Sequence, residues 1–340
     1  YVHNFMDRSV TVLDISKIVN EGQNTATVVA TYALVASEKL TAQVLSGKQL
    51  FYDAKDTRLA LDSYISCAAC HNDGGQDGRV WDLTGFGEGL RNTISLQGRA
   101  GAGQGFLHWS GNFDEVHDFE GQIRTLAGGT GLMTDAQFNT GTRNQPLGDA
   151  KAGVSADLDA LVAYMNSLNT FAVSPHRNPD GTLAADGVAG KTIFQNMNCA
   201  QCHGGAAFSS SGNNTLLNIG TIKTSSGNRL GGALVGIDPP TLRDVWATTP
   251  YLHDGSAATL ADAVRAHTNV TIGDSELALL VAYLRQVDAN EATAPALNQL
   301  PNVSLSAPTN GATFNQGAAI NLTANAADVD GTITRVEFYA

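Results

Sequence analysis

The sequence predicts a mainly α-helical protein of two tandem domains of one kind, with short β-structured flanks. Three observations predict it. The same five-residue cysteine pattern occurs twice, as CAACH at 67–71 and CAQCH at 199–203. Each copy is preceded and followed by closely similar helix-like segments. The two ends of the chain alternate apolar and polar residues instead.

The cysteine motifs carry the chemistry. The chain has 4 cysteines, and all of them fall in these two C-x-x-C pairs, each followed at once by histidine. That is the attachment pattern of c-type haem. Two thiols bond the vinyl groups of one porphyrin, and the adjacent imidazole reaches the iron. A disulfide within each pair has no need of the histidine. A thioredoxin-like redox pair needs a βαβ context, which is absent. A zinc site needs four ligands, and each motif offers three in a row. The expected cofactors are therefore two covalent haem c groups, at Cys67, Cys70 and His71 and at Cys199, Cys202 and His203. Haem is attached outside the cytoplasm, so the expected location is the periplasm or the cell surface.

The repeat extends around the motifs. SGKQLF at 46–51 matches AGKTIF at 189–194, and DALVAYMNSL at 159–168 matches ALLVAYLRQV at 278–287. Leu158, Leu161, Val162, Met165 and Leu168 follow the 3,4 spacing of one buried helix face, with Ser155 as N-cap. Leu277, Leu280, Val281 and Leu284 repeat it, with Asp274 or Ser275 as cap. The order helix, motif, long loop, closing helix thus occurs twice, as a haem-enclosing domain requires. These apolar stripes are core and have no further role.

Composition narrows the partners. Charged residues are 15% of the chain, against a typical ~25%, and glycines number 36. The net charge of −12 argues against nucleic acid or an anionic membrane as main partner. It is compatible with docking of a small redox protein as electron donor. No apolar run approaches the ~20 residues of a membrane span. No signal peptide opens the chain, which reads as a piece of a longer precursor.

Residues 170–188 are rich in Pro, Gly and Asp and form the join, with His176 as a loop residue. The expected domains are a propeller-blade end at 1–17, cytochrome c domains at 18–171 and 172–298, and a truncated sandwich at 299–340. Residues 1–15 read as a hairpin. Their opening Tyr1-Val2-His3-Asn4 resembles a blade of surface-layer-type seven-bladed propellers. Residues 303–340 have the turn spacing of a β-sandwich and resemble the opening of bacterial immunoglobulin-like repeats.

Residues 40–290 resemble the bacterial dihaem cytochrome c peroxidase family, including its methylamine-dehydrogenase maturation branch. The most specific stretch is PPTLRDVWATTPYLHDGSAATLADAV at 239–264, joined by RLALDSYISCAACH at 58–71, GLRNT at 89–93 and His108-Trp109-Ser110-Gly111. The resemblance implies an electron-transfer haem at the second motif. Its distal ligand position matches His267, which implies a bis-histidine, low-potential iron with His203. The alternative for His267 is a surface residue. His253 matches a structural or propionate-side position. The resemblance also implies a calcium ion held by the Asn92 side chain and the carbonyls of Thr248 and Pro250, all oxygen donors. An ordinary turn asparagine is the alternative. Trp109 matches a tryptophan that relays electrons between haems, and Gln122 a glutamine of the family's catalytic region; the resemblance implies that both are catalytic residues.

The first motif matches the peroxidatic haem, and here the sequence departs from the family. The distal histidine of a Gly-His-Gly loop is replaced in Gly85-Phe86-Gly87, which implies a permanently open iron. The catalytic glutamate position is Leu132, before Met133. Peroxide cleavage needs a group that moves a proton between two oxygens, and leucine has none. Glu115, Glu120, His108 and His117 are the candidates to replace it. His108 or His117 is alternatively the sixth ligand of a closed, purely electron-transferring haem. The expected activity is hydrogen peroxide reduction. The alternatives are a non-catalytic electron-conducting module and a dihaem oxygenase.

Overall fold

The computed structural model describes residues 1–98, 104–297, 299, 301–329 and 332–339. The expected boundary at residue 298 and the last residue, 340, lie outside them.

In chain order the elements begin with the expected hairpin. Strand β1 (Val2–Asn4) pairs antiparallel with β2 (Ser9–Asp14), Val2 opposite Thr11 and Asn4 opposite Ser9. Helix α1 (Ser16–Glu21) leads into β3 (Thr27–Ala33), which adds to β2. The sheet therefore runs past residue 17. The β-branched run TVVATYA supplies the third strand, which the sequence analysis did not separate from the first cytochrome domain. Helix α2 (Ala42–Tyr52) is capped by Thr41, whose hydroxyl accepts from Val44 N–H at 3.2 Å. The first cysteine motif forms the single turn α3 (Cys67–Cys70), followed by the hairpin β4 (Val80–Asp82) and β5 (Leu90–Asn92). Helices α4 (Phe119–Thr125), α5 (Asp135–Phe138) and α6 (Ala156–Ser167) complete the first half.

The second half opens with α7 (Ala185–Asn196) and then carries the small hairpin β6 (Asn228–Arg229) and β7 (Gly232–Ala233). Helix α8 (Leu260–Arg265), helix α9 (Asp274–Leu284) and the antiparallel pair β8 (Asn302–Ala307) and β9 (Thr323–Ala327) follow. None of the helices is long and apolar enough to cross a membrane, among the described residues.

The chain forms two compact units: residues 1–172, 211–239 and 247–267 make the first, and residues 173–210, 240–246 and 268–340 the second. In the first, α2 packs on α6. Phe51, Leu158, Leu161 and Tyr164 are buried there with Leu132 and Met133, and Met165 and Leu168 lie against them. Ser155 caps α6 as expected, accepting from Leu158 N–H at 3.3 Å. The N-terminal hairpin rests on α2 through Phe5, whose ring lies 4.7 Å from that of Tyr52.

In the second unit α7 packs on α9 in the same manner. Gly190 repeats Gly47: an added Cβ would lie 1.9 Å from Leu279 O, as it would lie 1.7 Å from Ala160 O at Gly47. Phe194 and Tyr283, at 5.5 Å, repeat Phe51 and Tyr164, at 5.1 Å, both edge to face. The sequence repeat is thus a repeat of one helix–helix contact. One expectation needs correction. Helix α9 takes Gly273 as N-cap with no side-chain cap, and Asp274 and Glu276 instead lie in its first turn. Their carboxylates there favour the positive end of the helix dipole.

Candidate functional site

Each cysteine motif is a tight turn that carries its histidine out at the end. His71 N–H donates to Cys67 O at 2.9 Å, and His203 N–H to Cys199 O at 2.9 Å. The exits differ. After His71 the chain turns through Asp73 and Gly74, both left-handed. An added Cβ on Gly74 would reach Leu168 at 2.8 Å, so the turn is seated against the chain just after α6. Before Cys199 the left-handed residue is Asn198.

The side chains fit covalent haem better than the other cysteine chemistries. All four cysteines are free thiols. Burial pushes the Cys67 thiol and the Cys199 thiol up to about 11, and Cys70 and Cys202 are raised as well. A dithiol redox site needs the reverse, a depressed thiol. No group of three or more His, Cys, Asp or Glu converges on a metal-sized space among the described residues. His203 is set up as a proximal ligand: its Nδ1 donates to Pro240 O at 3.1 Å. A carbonyl only accepts, so Nδ1 carries the proton and Nε2 holds the lone pair that an iron needs. His71 Nδ1 faces Gly75 O at 3.4 Å, a longer version of the same arrangement. His71 is pushed below the ordinary histidine range by burial, with the neighbouring His108 charge adding to the effect.

His267 follows the end of α8 in the first unit, half-buried, with Nδ1 2.9 Å from Ala263 O. This again selects the tautomer with its lone pair on Nε2.

The candidate calcium ligands Asn92 and Pro250 are brought together. Asn92 is buried, its Nδ2 lies 2.5 Å from Pro250 O, and its Oδ1 is buried with no hydrogen-bond partner. A hard cation would satisfy an orphaned buried oxygen, but it is the amide nitrogen, not Oδ1, that faces the loop, donating to the carbonyls of Pro250 and Leu252. Thr248 stands two residues earlier in the same loop. Trp109 is tied to this cluster, its Nε1–H donating to Asn92 O at 2.8 Å. His253 is buried with Nε2 2.7 Å from Ser226 Oγ, a packing position.

Around the first motif the expected residues part company. Gln122 lies half-buried on α4. Leu132 is in the core. Glu120 is fully buried and accepts from Leu132 N–H at 2.8 Å, Met133 N–H at 3.1 Å and Arg124 Nε at 2.9 Å, so its oxygens are taken by structure. Glu115 accepts from Lys151 N–H at 2.6 Å. His117 lies between Asp159, at 3.0 Å, and Glu115, at 3.5 Å. His108 is differently placed. Its Nδ1 is 2.8 Å from Asn112 Oδ1, and its ring packs on Phe113 and Phe119. Phe86 is 53% exposed at the tip of the loop joining β4 to β5.

Sequence reasoning missed Glu88. It is two residues beyond Phe86, and its carboxylate gathers Asn112 Nδ2 at 2.6 Å, Ser110 Oγ at 3.0 Å and Arg91 Nε at 3.0 Å. It is the one carboxylate in GFGEGLRN (85–92), and that was the available signal. Beside the motif, Ala68, Ala69, Asn72, Gln76, Asp77, Arg79 and Trp81 line an open cavity of about 560 Å3.

Comparison with known proteins fits this frame. Residues 187–288 match the family described as Cytochrome c, and residues 301–340 the one described as Bacterial Ig domain. The cytochrome c peroxidase of Escherichia coli (strain K12) is 28% identical over 252 residues, 64% of this chain and 52% of that protein. The chain is homologous to the bacterial cytochrome c peroxidases. It therefore spans about half the length of the E. coli enzyme. The hydrazine synthase subunit gamma of Kuenenia stuttgartiensis is 27% identical over 279 residues, 71% of this chain and 73% of that subunit. A MauG-like protein associated with microbial copper homeostasis shares the fold, with TM-score 0.51 and 19% identity over 75% of this chain and 90% of that one.

Proposed function

We propose that the chain is an exported dihaem c-type cytochrome that reduces hydrogen peroxide. Electrons would enter from a small redox protein at the haem of Cys199, Cys202 and His203. They would pass to the haem of Cys67, Cys70 and His71, where peroxide is reduced. The observation that carries the reading is the frame built twice, each copy holding a CxxCH turn between two helices locked by the same glycine and the same Phe–Tyr pair. The cytochrome domains would span residues 18–171 and 172–298. Homology to a protein named cytochrome c peroxidase supports the reaction class.

Bound haem would supply the redox-active iron at each site. The chain's residues do the rest. His203, with Nδ1 on Pro240 O, orients its Nε2, and His267, with Nδ1 on Ala263 O, does the same. The resemblance alone would make His267 the second ligand of the electron-entry haem. Phe86 would offer no ligand at the position where the resemblance implies one, which would leave the first site open to peroxide. Trp109, bonded to Asn92 O, would relay electrons, and Gln122 would take part in catalysis. Asn92, Pro250 and Thr248 would hold calcium, which the orphaned Asn92 Oδ1 supports.

One observation favours a second reading, an electron-conducting module without catalysis. Leu132, at the position where the resemblance implies a catalytic acid, is packed in the core. Peroxide turnover with a reduced cytochrome donor separates the two. We expect turnover well above that of free haem, together with one high-spin and one low-spin haem in the oxidised protein. Two low-spin haems and a rate no better than free haem would leave the conduit.

A further inference from the structure

We propose that Tyr52 and Tyr164 form a one-electron relay at the Cys67 site, through which an external donor reduces the haem there without passing through the second haem. The proposal rests on the Cys67 haem of the reading above and adds to it a separate electron entry.

Contacts within the first unit place the pair at the motif. Tyr164 is buried in the apolar cluster of α2 and α6, and both Tyr52 and Cys67 pack against that cluster. Cys67 is one of the two thiols that would bond the porphyrin. Tyr52 also reaches the far side of the turn, its hydroxyl donating to Asp73 Oδ1 at 3.3 Å, two residues after His71. The tyrosines thus lie against both ends of the CxxCH turn.

The two tyrosines are also partners of one another. Their ring centres are 6.4 Å apart, and each hydroxyl acts on the other. Phe51 stands between them, 5.4 Å from Tyr52 and 5.1 Å from Tyr164. These are separations of aromatic rings in contact. A phenol, unlike a phenylalanine ring, readily gives up an electron together with its hydroxyl proton. Tyr164 is the inner member, 5% exposed. Tyr52 is the outer one, half-buried beneath the Phe5 ring at 4.7 Å, and Phe5 is 38% exposed on the N-terminal hairpin. An aromatic path therefore runs from the surface to the motif.

The repeat supplies the internal control. In the second frame Tyr283 stands for Tyr164, but Gln195 stands for Tyr52. The Tyr283 hydroxyl faces Glu291 Oε1 at 3.3 Å instead of a second phenol. The helix contact is otherwise the same, Phe194 and Tyr283 matching Phe51 and Tyr164. Packing the frame does not need the second phenol. It stands in the frame where peroxide would be reduced.

The step balances. The site, oxidised by peroxide, takes one electron from the pair. The pair gives one proton, from the Tyr52 hydroxyl, to solvent water and becomes a neutral tyrosyl radical. A small one-electron donor protein returns the electron, and water returns the proton. Only an O–H bond breaks and re-forms. Two such transfers, with two protons from solvent, convert one hydrogen peroxide to two waters.

The test uses the holoprotein in two arms. In the first, the oxidised protein, carrying ring-deuterated tyrosine, is mixed with peroxide and frozen, and electron paramagnetic resonance reads the radical. We expect a tyrosyl signal that is lost in Tyr52→Phe and in Tyr164→Phe, which keep the rings and remove only the hydroxyls. In the second arm the haems are reduced, and a ruthenium photo-oxidant is coordinated to the side chain introduced by Gln49→His. Gln49 is exposed on α2, about one turn before Tyr52. After a flash we expect a transient tyrosyl and oxidation of the Cys67 haem, both lost in Tyr52→Phe. Tyr52→Trp should restore haem oxidation with a tryptophanyl radical, which a merely structural role of the hydroxyl would not produce. Haem oxidation unchanged in both Phe variants overturns the relay. So does a tyrosyl signal that survives both variants, or one absent from both arms. A radical after the flash with none after peroxide upholds the relay and overturns the peroxidase reading.

Discussion

Gly47 lies so close to the carbonyl oxygen of Ala160 that a Cβ there would come within 1.7 Å of it. Gly190 and Leu279 O repeat the relationship at 1.9 Å. These two glycines let the helices before and after each CxxCH turn touch backbone to backbone.

Alanine at either glycine should therefore destabilise the protein. The gain in helix propensity is about 1 kcal/mol, but a backbone carbonyl cannot rotate away as a side chain can. Net losses of about 2 kcal/mol or more are expected for Gly47→Ala and Gly190→Ala in denaturant unfolding. Gly121, in α4, meets nothing within 4 Å. Gly121→Ala should instead stabilise by about 0.5–1 kcal/mol. Equal effects at the three sites would contradict the close helix contact.

Lys151 and Asp118 form an ion pair with side chains only 2% and 1% exposed. Lys151→Met would leave the Asp118 carboxylate charged and buried without its cation. A loss of about 3–5 kcal/mol is expected. Adding Asp118→Asn should recover part of it, because the amide oxygen still accepts and carries no charge. A single variant as stable as the wild type would refute the pair's role.

His253 should make stability depend on pH. Burial lowers its pKa below the ordinary 6.5, and the Asp254 charge opposes this only partly. The unfolded chain then binds the extra proton first. The stabilisation is complete above the unfolded value and is lost as pH falls from about 6.5 through the folded value, at up to ~1.4 kcal/mol per pH unit. His253→Gln, which can still bond Ser226 Oγ, should flatten this slope in unfolding curves at pH 5 to 7. An unchanged slope would assign the acid sensitivity to other groups.

His267→Ala should convert the haem at Cys199 from low to high spin in the oxidised protein. It should also raise that haem's sensitivity to added imidazole. An unaltered spectrum would remove His267 from the iron and return it to the role of a residue closing α8.

What was legible in the chain was what is local. The CxxCH turns, the Ser155 cap and the apolar face of Leu158, Leu161 and Val162 follow from spacings of a few residues, because turns and helices are built from such spacings. The repeat, too, was visible, since Gly47 and Gly190 stand in matching hexapeptides. The N-terminal hairpin and the immunoglobulin-like start were readable from alternation. The third strand, Thr27–Ala33, was not, because a strand's membership in a sheet depends on its partner.

The tertiary structure decided which partners each of the candidate polar residues meets. Glu120, Glu115 and His117 looked equivalent to His108 along the chain. Folding gave each its own partners: backbone amides for Glu120 and Glu115, Asp159 and Glu115 for His117, and Asn112 and Glu88 for His108. Glu88 and Asn112 are 24 positions apart, and no local rule links residues at that distance. The sequence by itself determined that this protein carries two c-type haem motifs, each in a helical frame. Only the packing of distant segments decided which carboxylate and which imidazole meet, because a hydrogen bond depends on where atoms lie in space and not on their order in the chain.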